Sequence, residues 1–238
     1  LLAAMSSRLQ QGLRHILALY PLLALGAGAA TAELWRRRGG ARLAAAMALS
    51  WHAASSFSCL PHPLAYVNEA FGGPKNAWRL MGDSNVDWGQ ALPDLAQFLD
   101  KNPGGLILSY FGSDCPARLG LERQDAFSAP GRCPGSRLLP PELKREWLAV
   151  SATQLQGFLR YATTPPDWSW LGAREPAAVL GRSILVYDIT LDVDAHKRLA
   201  DMYAAAGNHA ASARETARAR NIAGINAGRD KPSEPRGP

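Results

Sequence analysis

Cysteine is scarce in this chain of 238 residues, with only Cys59, Cys115 and Cys133. Three cysteines cannot build a disulfide-rich scaffold, and no grouping of them with the five histidines has the spacing of a zinc site, so no metal site is expected in this piece. Charge is also low, at 19% of residues against 47% hydrophobic, a balance that excludes wholesale disorder and requires at least one packed core. Gly72, Gly73 and Pro74 form a turn and not a phosphate loop, because no Gly-Lys-Ser/Thr ending follows. No serine sits in a Gly-x-Ser-x-Gly elbow, so nucleophilic catalysis has no specific support. The chain opens on Leu1 and shows no secretory signal pattern, which reads as the C-terminal piece of something longer.

The net charge of +6 and the pI near 9.5 raise the question of nucleic acid. Residues 1–60 hold six Arg against one Glu, and residues 193–238 hold eight basic against five acidic residues. The stretch between them has twelve basic and fourteen acidic residues. No basic stripe interleaved with aromatics exists there to follow a phosphate backbone, so no nucleic-acid partner is expected.

Two apolar runs account for the first sixty residues. Ile16 to Trp35 is twenty residues long with Glu33 as its one charge, which as a helix spans about 30 Å, the thickness of a bilayer core. Leu43 to Leu60 is eighteen residues without formal charge, diluted by His52 and four serines. Both are read as transmembrane helices, with a buried soluble helix pair as the alternative. Arg36, Arg37, Arg38 and Arg42 fall in the short loop between them, and short Arg-rich loops stay in the cytoplasm. The expected protein is therefore integral to a membrane, with residues 61–238 extracytoplasmic. Arg14 and His15 then lie at the outer end of the first span, where they either meet an anionic lipid head group or anchor the helix.

The remainder reads as an α/β domain over residues 61–192, a helical hairpin over 193–227 and a disordered tail over 228–238. Strands are expected at Trp78 to Met81, Gly105 to Phe111, Glu146 to Ser151 and Ser183 to Ile189, with helices at Gln90 to Leu99 and Thr153 to Tyr161. Strands separated by helices imply a mostly parallel sheet. Pro130 to Pro141 reads as an exposed loop. In the hairpin, Leu199, Ala200, Tyr203, Gly207 and Ala219 fit a single tetratricopeptide-like unit, which packs on the preceding domain or offers a face to a protein partner.

The densest polar block is Asp83, Ser84, Asn85, Val86, Asp87, Trp88, Gly89, Gln90. Asp83, Asn85, Asp87, Trp88 and Gln90 could hold a sugar by hydrogen bonds and stacking. The alternative is a helix cap at Asp87 and a turn at Asp83 with no ligand. Cys115 and Cys133 enclose seventeen residues and are the disulfide candidates, since such a pair persists outside the cytoplasm.

The stretches GLRHILALYP at Gly12 to Pro21 and PHPLAYVNEAFGGPKNAWRLMGDSNVDWGQ at Pro61 to Gln90 resemble the C-terminal part of bacterial membrane glycosyltransferases of the dolichyl-phosphate-mannose protein mannosyltransferase-like type. LAVSATQLQGF at Leu148 to Phe158 and REPAAVLGRSILVYDI at Arg174 to Ile189 look similar to later blocks of the same proteins. The resemblance implies a multi-span GT-C fold, inverting transfer from a polyprenyl-phosphate sugar at the extracytoplasmic face, and often a divalent metal in the complete enzyme. It also implies that the membrane is a bacterial inner membrane, and the partners would be membrane lipid and the lipid-linked sugar. The family's catalytic acid belongs to a first extracytoplasmic loop that this chain lacks, so no catalytic residue is transferred, and the piece is expected to position substrate. Two alternatives from other classes remain: a membrane-anchored extracytoplasmic binding or assembly module without activity, and a hydrolase using Asp83 and Asp87.

Overall fold

The computed structural model describes residues 17–82, 85–86, 88–128, 133–157 and 166–229. They fall into two compact units, Leu1–Val86 and Asp87–Pro238. Residues 61–86 thus belong with the apolar helices.

In the first unit, helix α1 (Tyr20–Arg36) takes Pro21 in its first turn, where the missing N–H has no partner to lose. Helix α2 (Gly40–Ser58) follows after Gly39, whose φ of 76° makes the reversal. Arg42 lies in the first turn of α2 with its guanidinium 4.8 Å over the Trp35 ring, so the arginine-rich link is shorter than the sequence implied. No α1 residue is buried, and of α2 only Ala45 and Ser55 are. Residues Leu17–Arg36 form a helix long and apolar enough to cross a membrane, with mean hydropathy 1.4. Two transmembrane helices were expected, but among the described residues only this one meets that measure. The reason is compositional, because Arg42, His52, Ser50, Ser55, Ser56 and Ser58 hold the hydropathy of α2 down.

Beyond α2 the chain makes three single-turn 3₁₀ segments, Pro63–Ala65, Glu69–Phe71 and Pro74–Asn76, and then the one-turn helix α3 (Ala77–Leu80). A strand was expected at Trp78 to Met81. Pro74 starts a turn that runs straight into α3, and only Met81, at φ −130° and ψ 147°, is extended.

The second unit has three layers. Helix α4 (Leu92–Lys101) presents Leu92, Leu95 and, partly buried, Ala96 and Leu99 to one face of the sheet, where they meet Leu106, Leu108, Trp147, Ala149, Ile184 and Val186. This is the 3.6-residue stripe of an amphipathic helix against the two-residue alternation of strands. The sheet contains β1 (Gly105–Ser109), β2 (Gln124–Asp125), β3 (Glu146–Ser151), β4 (Ala178–Leu180) and β5 (Ile184–Asp188) in the order β2-β1-β3-β5-β4. Its other face is covered by helices α6 (Val193–Ala205) and α7 (His209–Arg229).

The expected mostly parallel sheet is only half parallel. β1 pairs parallel with β2 and β3, whereas β5 pairs antiparallel with β3 and β4. β4 and β5 are joined by a tight turn in which the Ser183 N–H donates to the Leu180 carbonyl and Gly181 and Arg182 both take positive φ. Such a turn reverses the chain with no crossover helix, so the last two strands need no βαβ unit. The helix expected at Thr153 to Tyr161 is the single turn α5 (Ala152–Leu155), ended at Gly157 with φ 65°. Residues 158–161 of that expectation lie outside the described residues.

The hairpin is held at its turns by side-chain caps. Asp192 accepts from the Ala195 N–H at 2.9 Å, and Asn208 accepts from the Ala211 N–H at 3.1 Å. Leu199, Ala200, Tyr203 and Ala219 are buried, as a docked hairpin requires. α7 runs to Arg229, beyond the expected start of the tail at 228, and residues 230–238 lie outside the described residues.

Candidate functional site

Of the expected ligand block, Asp83 and Asp87 lie outside the described residues, as do Arg14 and His15. Asn85 closes a turn at the end of the first unit, its N–H and its side-chain amide both 3.4 Å from the Gly82 carbonyl. Gln90, at the start of the second unit, accepts from the Trp88 N–H at 2.8 Å, which makes its side chain a turn cap. Trp88 remains 43% exposed with its ring centroid 6.0 Å from that of Phe111. An exposed indole beside a second aromatic ring is a surface on which a sugar face can stack.

The tightest assembly of chemistry-bearing residues was not read from the sequence. Glu146 opens β3, and alternation along that strand turns it away from the α4 face toward the hairpin. There its carboxylate meets both Arg214 and Arg218 of α7. Arg214 also donates to Glu215 Oε1 at 2.8 Å and to the Leu139 and Pro140 carbonyls at 3.0 Å each. Arg218 donates to the Pro141 carbonyl at 3.2 Å and the Thr190 carbonyl at 2.9 Å. His196 of α6 lies with Nδ1 2.6 Å from Glu215 Oε2 and donates from Nε2 to the Ile189 carbonyl at 3.0 Å. Gln124 of β2 donates to Glu215 Oε1 at 2.6 Å, and the Tyr203 hydroxyl donates to the Asp125 carbonyl at 2.7 Å.

This cluster is a clasp. Glu146, Glu215 and His196 have no solvent exposure, and Arg214 and Arg218 are buried. Burial alone would push the Glu215 carboxyl up, but the hydrogen bond from His196 and the Arg214 guanidinium outweigh it and hold the carboxyl below the usual range. Burial would likewise lower Arg214, and the charges of Glu215 and Glu146 reverse that direction. Burial pushes the Tyr203 phenol up. Groups so enclosed cannot meet a substrate, so the chemistry of the clasp is structural: it bolts the hairpin to the sheet. It also gives the loop before β3 a role beyond punctuation. In the exposed loop expected at Pro130 to Pro141, Leu139 is buried and three backbone carbonyls are acceptors for the two arginines.

Beside the clasp a groove of about 410 Å³ opens between β2 and the hairpin, lined among others by Gln124, Phe127, Arg137, Tyr203 and Asn208. Phe127 takes φ 64°, unusual for a residue with a side chain, and is fixed there by stacking on Tyr203 at 5.0 Å and by the amide of Gln154, which donates to its carbonyl at 3.0 Å. Cys115 and Cys133 form a disulfide with Cα atoms 5.2 Å apart. Among the described residues no group of three or more His, Cys, Asp or Glu is placed to hold a metal ion.

Comparison of the chain with family models, with characterised proteins and with solved structures finds no match.

The sequence carried one overlooked signal for the clasp. Arg214 and Arg218 are four apart on α7 and so share a face, and Glu146 is a charge at the head of an otherwise apolar strand. Nothing local says that these two features meet.

Proposed function

We propose that this chain is the C-terminal portion of an integral membrane glycosyltransferase that moves a sugar from a polyprenyl-phosphate donor to an acceptor outside the cytoplasm. In this reading α1 and α2 are membrane helices, residues 61–238 lie on the outer side, and the piece positions substrate while the transfer is performed elsewhere in the complete enzyme. Any divalent metal belongs to that complete enzyme.

The observation that carries the topology is the combination of a bilayer-length apolar helix ending in arginines with the Cys115–Cys133 disulfide in the second unit. Arginines in a short turn favour the cytoplasmic side, and a disulfide persists in an oxidising compartment. Both hold at once when α2 returns through the bilayer. The sugar chemistry rests on the resemblance of the Pro61 to Gln90 stretch, and the exposed Trp88 with its neighbour Phe111 supports it as a stacking surface.

The test has two arms. Reporter cysteines replacing Arg38 and Ser136 in a Cys59→Ala background are labelled in intact cells with an impermeant reagent. Labelling at 136 and not at 38 is expected, and the opposite pattern reverses the topology. In membranes holding the complete protein and a labelled polyprenyl-phosphate sugar, Trp88→Ala and Asp87→Asn should each lower transfer per folded molecule about tenfold, equal to about 1.4 kcal/mol at the transition state. Unchanged transfer in both variants removes the substrate-positioning role.

A second reading, a membrane-anchored binding or assembly module without activity, is favoured by the groove between β2 and the hairpin. It is supported if membranes holding the complete protein transfer no sugar and Arg137→Glu abolishes capture of a protein partner.

A further inference from the structure

The segment that follows α2 is built to lie on something apolar. Leu60, Phe71 and Leu80 are 56%, 72% and 55% exposed, and Leu64 and Tyr66 are exposed as well, while Ala65, Val67 and Ala77 fill the inside. These residues are not on loose chain. The Asn68 side chain accepts from the Ala70 N–H at 2.9 Å, and the Asn76 amide donates to the Gly72 carbonyl at 2.9 Å, fixing consecutive turns.

The charges of the segment are sorted. Its one acid, Glu69, is turned inward: the Ser55 hydroxyl donates to Oε1 at 2.6 Å, and Oε2 is shielded from solvent. That hydrogen bond holds the Glu69 carboxyl below the usual carboxylate range, so it stays an acceptor for Ser55. Because the Ser55 proton is committed to Glu69, the Ser55 oxygen is left to accept from the Tyr66 hydroxyl, 2.9 Å away. The charges left facing outward are cationic, Lys75 and Arg79, and the Arg79 guanidinium sits 4.7 Å over the Trp78 ring.

We propose that residues 60–80 form a foot that rests in the head-group layer of the bilayer, with Leu60, Leu64, Phe71 and Leu80 in its apolar margin and Lys75 and Arg79 on anionic lipid phosphates. The proposal rests on the proposed reading of both α1 and α2 as membrane-crossing helices. Lipid fits the surface better than a protein for two reasons. The foot begins directly at the end of α2, whose last turn exposes Phe57, so the chain emerges already at bilayer depth. A Trp and a Tyr beside Lys and Arg among exposed leucines is also the composition that the head-group layer selects, since such side chains keep an apolar body in lipid and a polar end in water.

The test uses the whole chain in vesicles, with an environment-sensitive fluorophore on Phe71→Cys in a Cys59→Ala background. In vesicles containing phosphatidylglycerol the label should be quenched several-fold more by a shallow lipid-borne quencher than by aqueous iodide. Replacing phosphatidylglycerol with phosphatidylcholine, or introducing Lys75→Glu with Arg79→Glu, should remove much of that difference. A label quenched freely by iodide and not by the lipid quencher overturns the foot. Lipid quenching that is equal in both lipids and in the charge-reversed chain overturns its anionic preference. Failure of the underlying membrane reading is seen separately, because the chain would then wash off the vesicles in alkaline carbonate, whereas a chain that stays with an aqueous label at 71 sinks the foot alone.

Discussion

Glu215 Oε2 lies 2.6 Å from His196 Nδ1, and neither side chain has any solvent exposure. The two residues come from different helices of the hairpin, so this contact ties α6 to α7, while Arg214 and Arg218 tie α7 to Glu146 on β3. The enclosed groups hold each other in place. Removing one charge strands the rest away from water.

Glu215→Ala should therefore lower stability by roughly 3 to 5 kcal/mol, the range for breaking a buried pair from one side. Urea unfolding of the purified chain, followed by near-UV circular dichroism, measures it. A loss well under about 1 kcal/mol, the ceiling for an exposed pair, would mean that water reaches the cluster.

The clasp also sets the pH dependence of stability. Glu215 is held below its ordinary value of 4.5, so the stability it contributes is complete above pH 4.5 and is lost as the pH falls through the depressed folded value. Tyr203 is raised above its ordinary 10.0, so its contribution is complete below pH 10.0 and declines as the pH rises beyond it. Thermal midpoints should form a plateau between these limbs. Glu215→Gln should flatten the acid limb and Tyr203→Phe the alkaline one, and limbs unchanged by either substitution would assign them to other groups.

Reduction of Cys115–Cys133, or Cys115→Ser with Cys133→Ser, opens a loop of sequence separation 18. On the chain-entropy argument this should destabilise the second unit by about 3 kcal/mol. Denaturant midpoints with and without reductant provide the comparison. Free thiols at both positions in an unreduced digest would remove the bond itself.

Gly181→Ala should destabilise where Gly120→Ala does so far less. Both glycines have positive φ, but a Cβ at 181 would lie 2.3 Å from the Ala91 Cβ, and one at 120 meets open space. Added crowding at 181 should cost about 1 to 3 kcal/mol beyond the backbone strain that the two share. Equal losses at both sites would mean that the β4–β5 turn moves aside easily.

Trp88→Ala should leave the second unit folded. With 43% of its surface exposed, Trp88 should lose less than the roughly 3 to 5 kcal/mol typical of a buried Trp, so any fall in transfer can be read as loss of ligand contact. A loss within that range in urea unfolding would make the residue part of the core.

The sequence by itself determined the elements whose signal is local. The apolar run of α1, the stripe of α4, the strands β1, β3 and β5 and the hairpin after Val193 are all present because each is marked by a continuous apolar run or by an apolar stripe of regular period. The exposed loop ahead of β3 and the polar turns at Asn85 and at Gln90 also carry local signatures.

Tertiary structure decided what no local window contains. β2 and β4 have two and three residues, too few for any alternation to show, and exist because a neighbouring strand offers hydrogen-bonding edges. Residues 78–81 could alternate as a strand, but Pro74 and the absence of a paired neighbour among the described residues left 78–80 in α3 and Met81 alone extended. The antiparallel placement of β5 depends on the Leu180–Ser183 turn and on a ladder to β3 from Trp147 to Ser151. The clasp joins Glu146 to Arg214 across 68 positions of chain, so its partners became partners only when the hairpin closed over the sheet. There, burial makes each charge depend on the others.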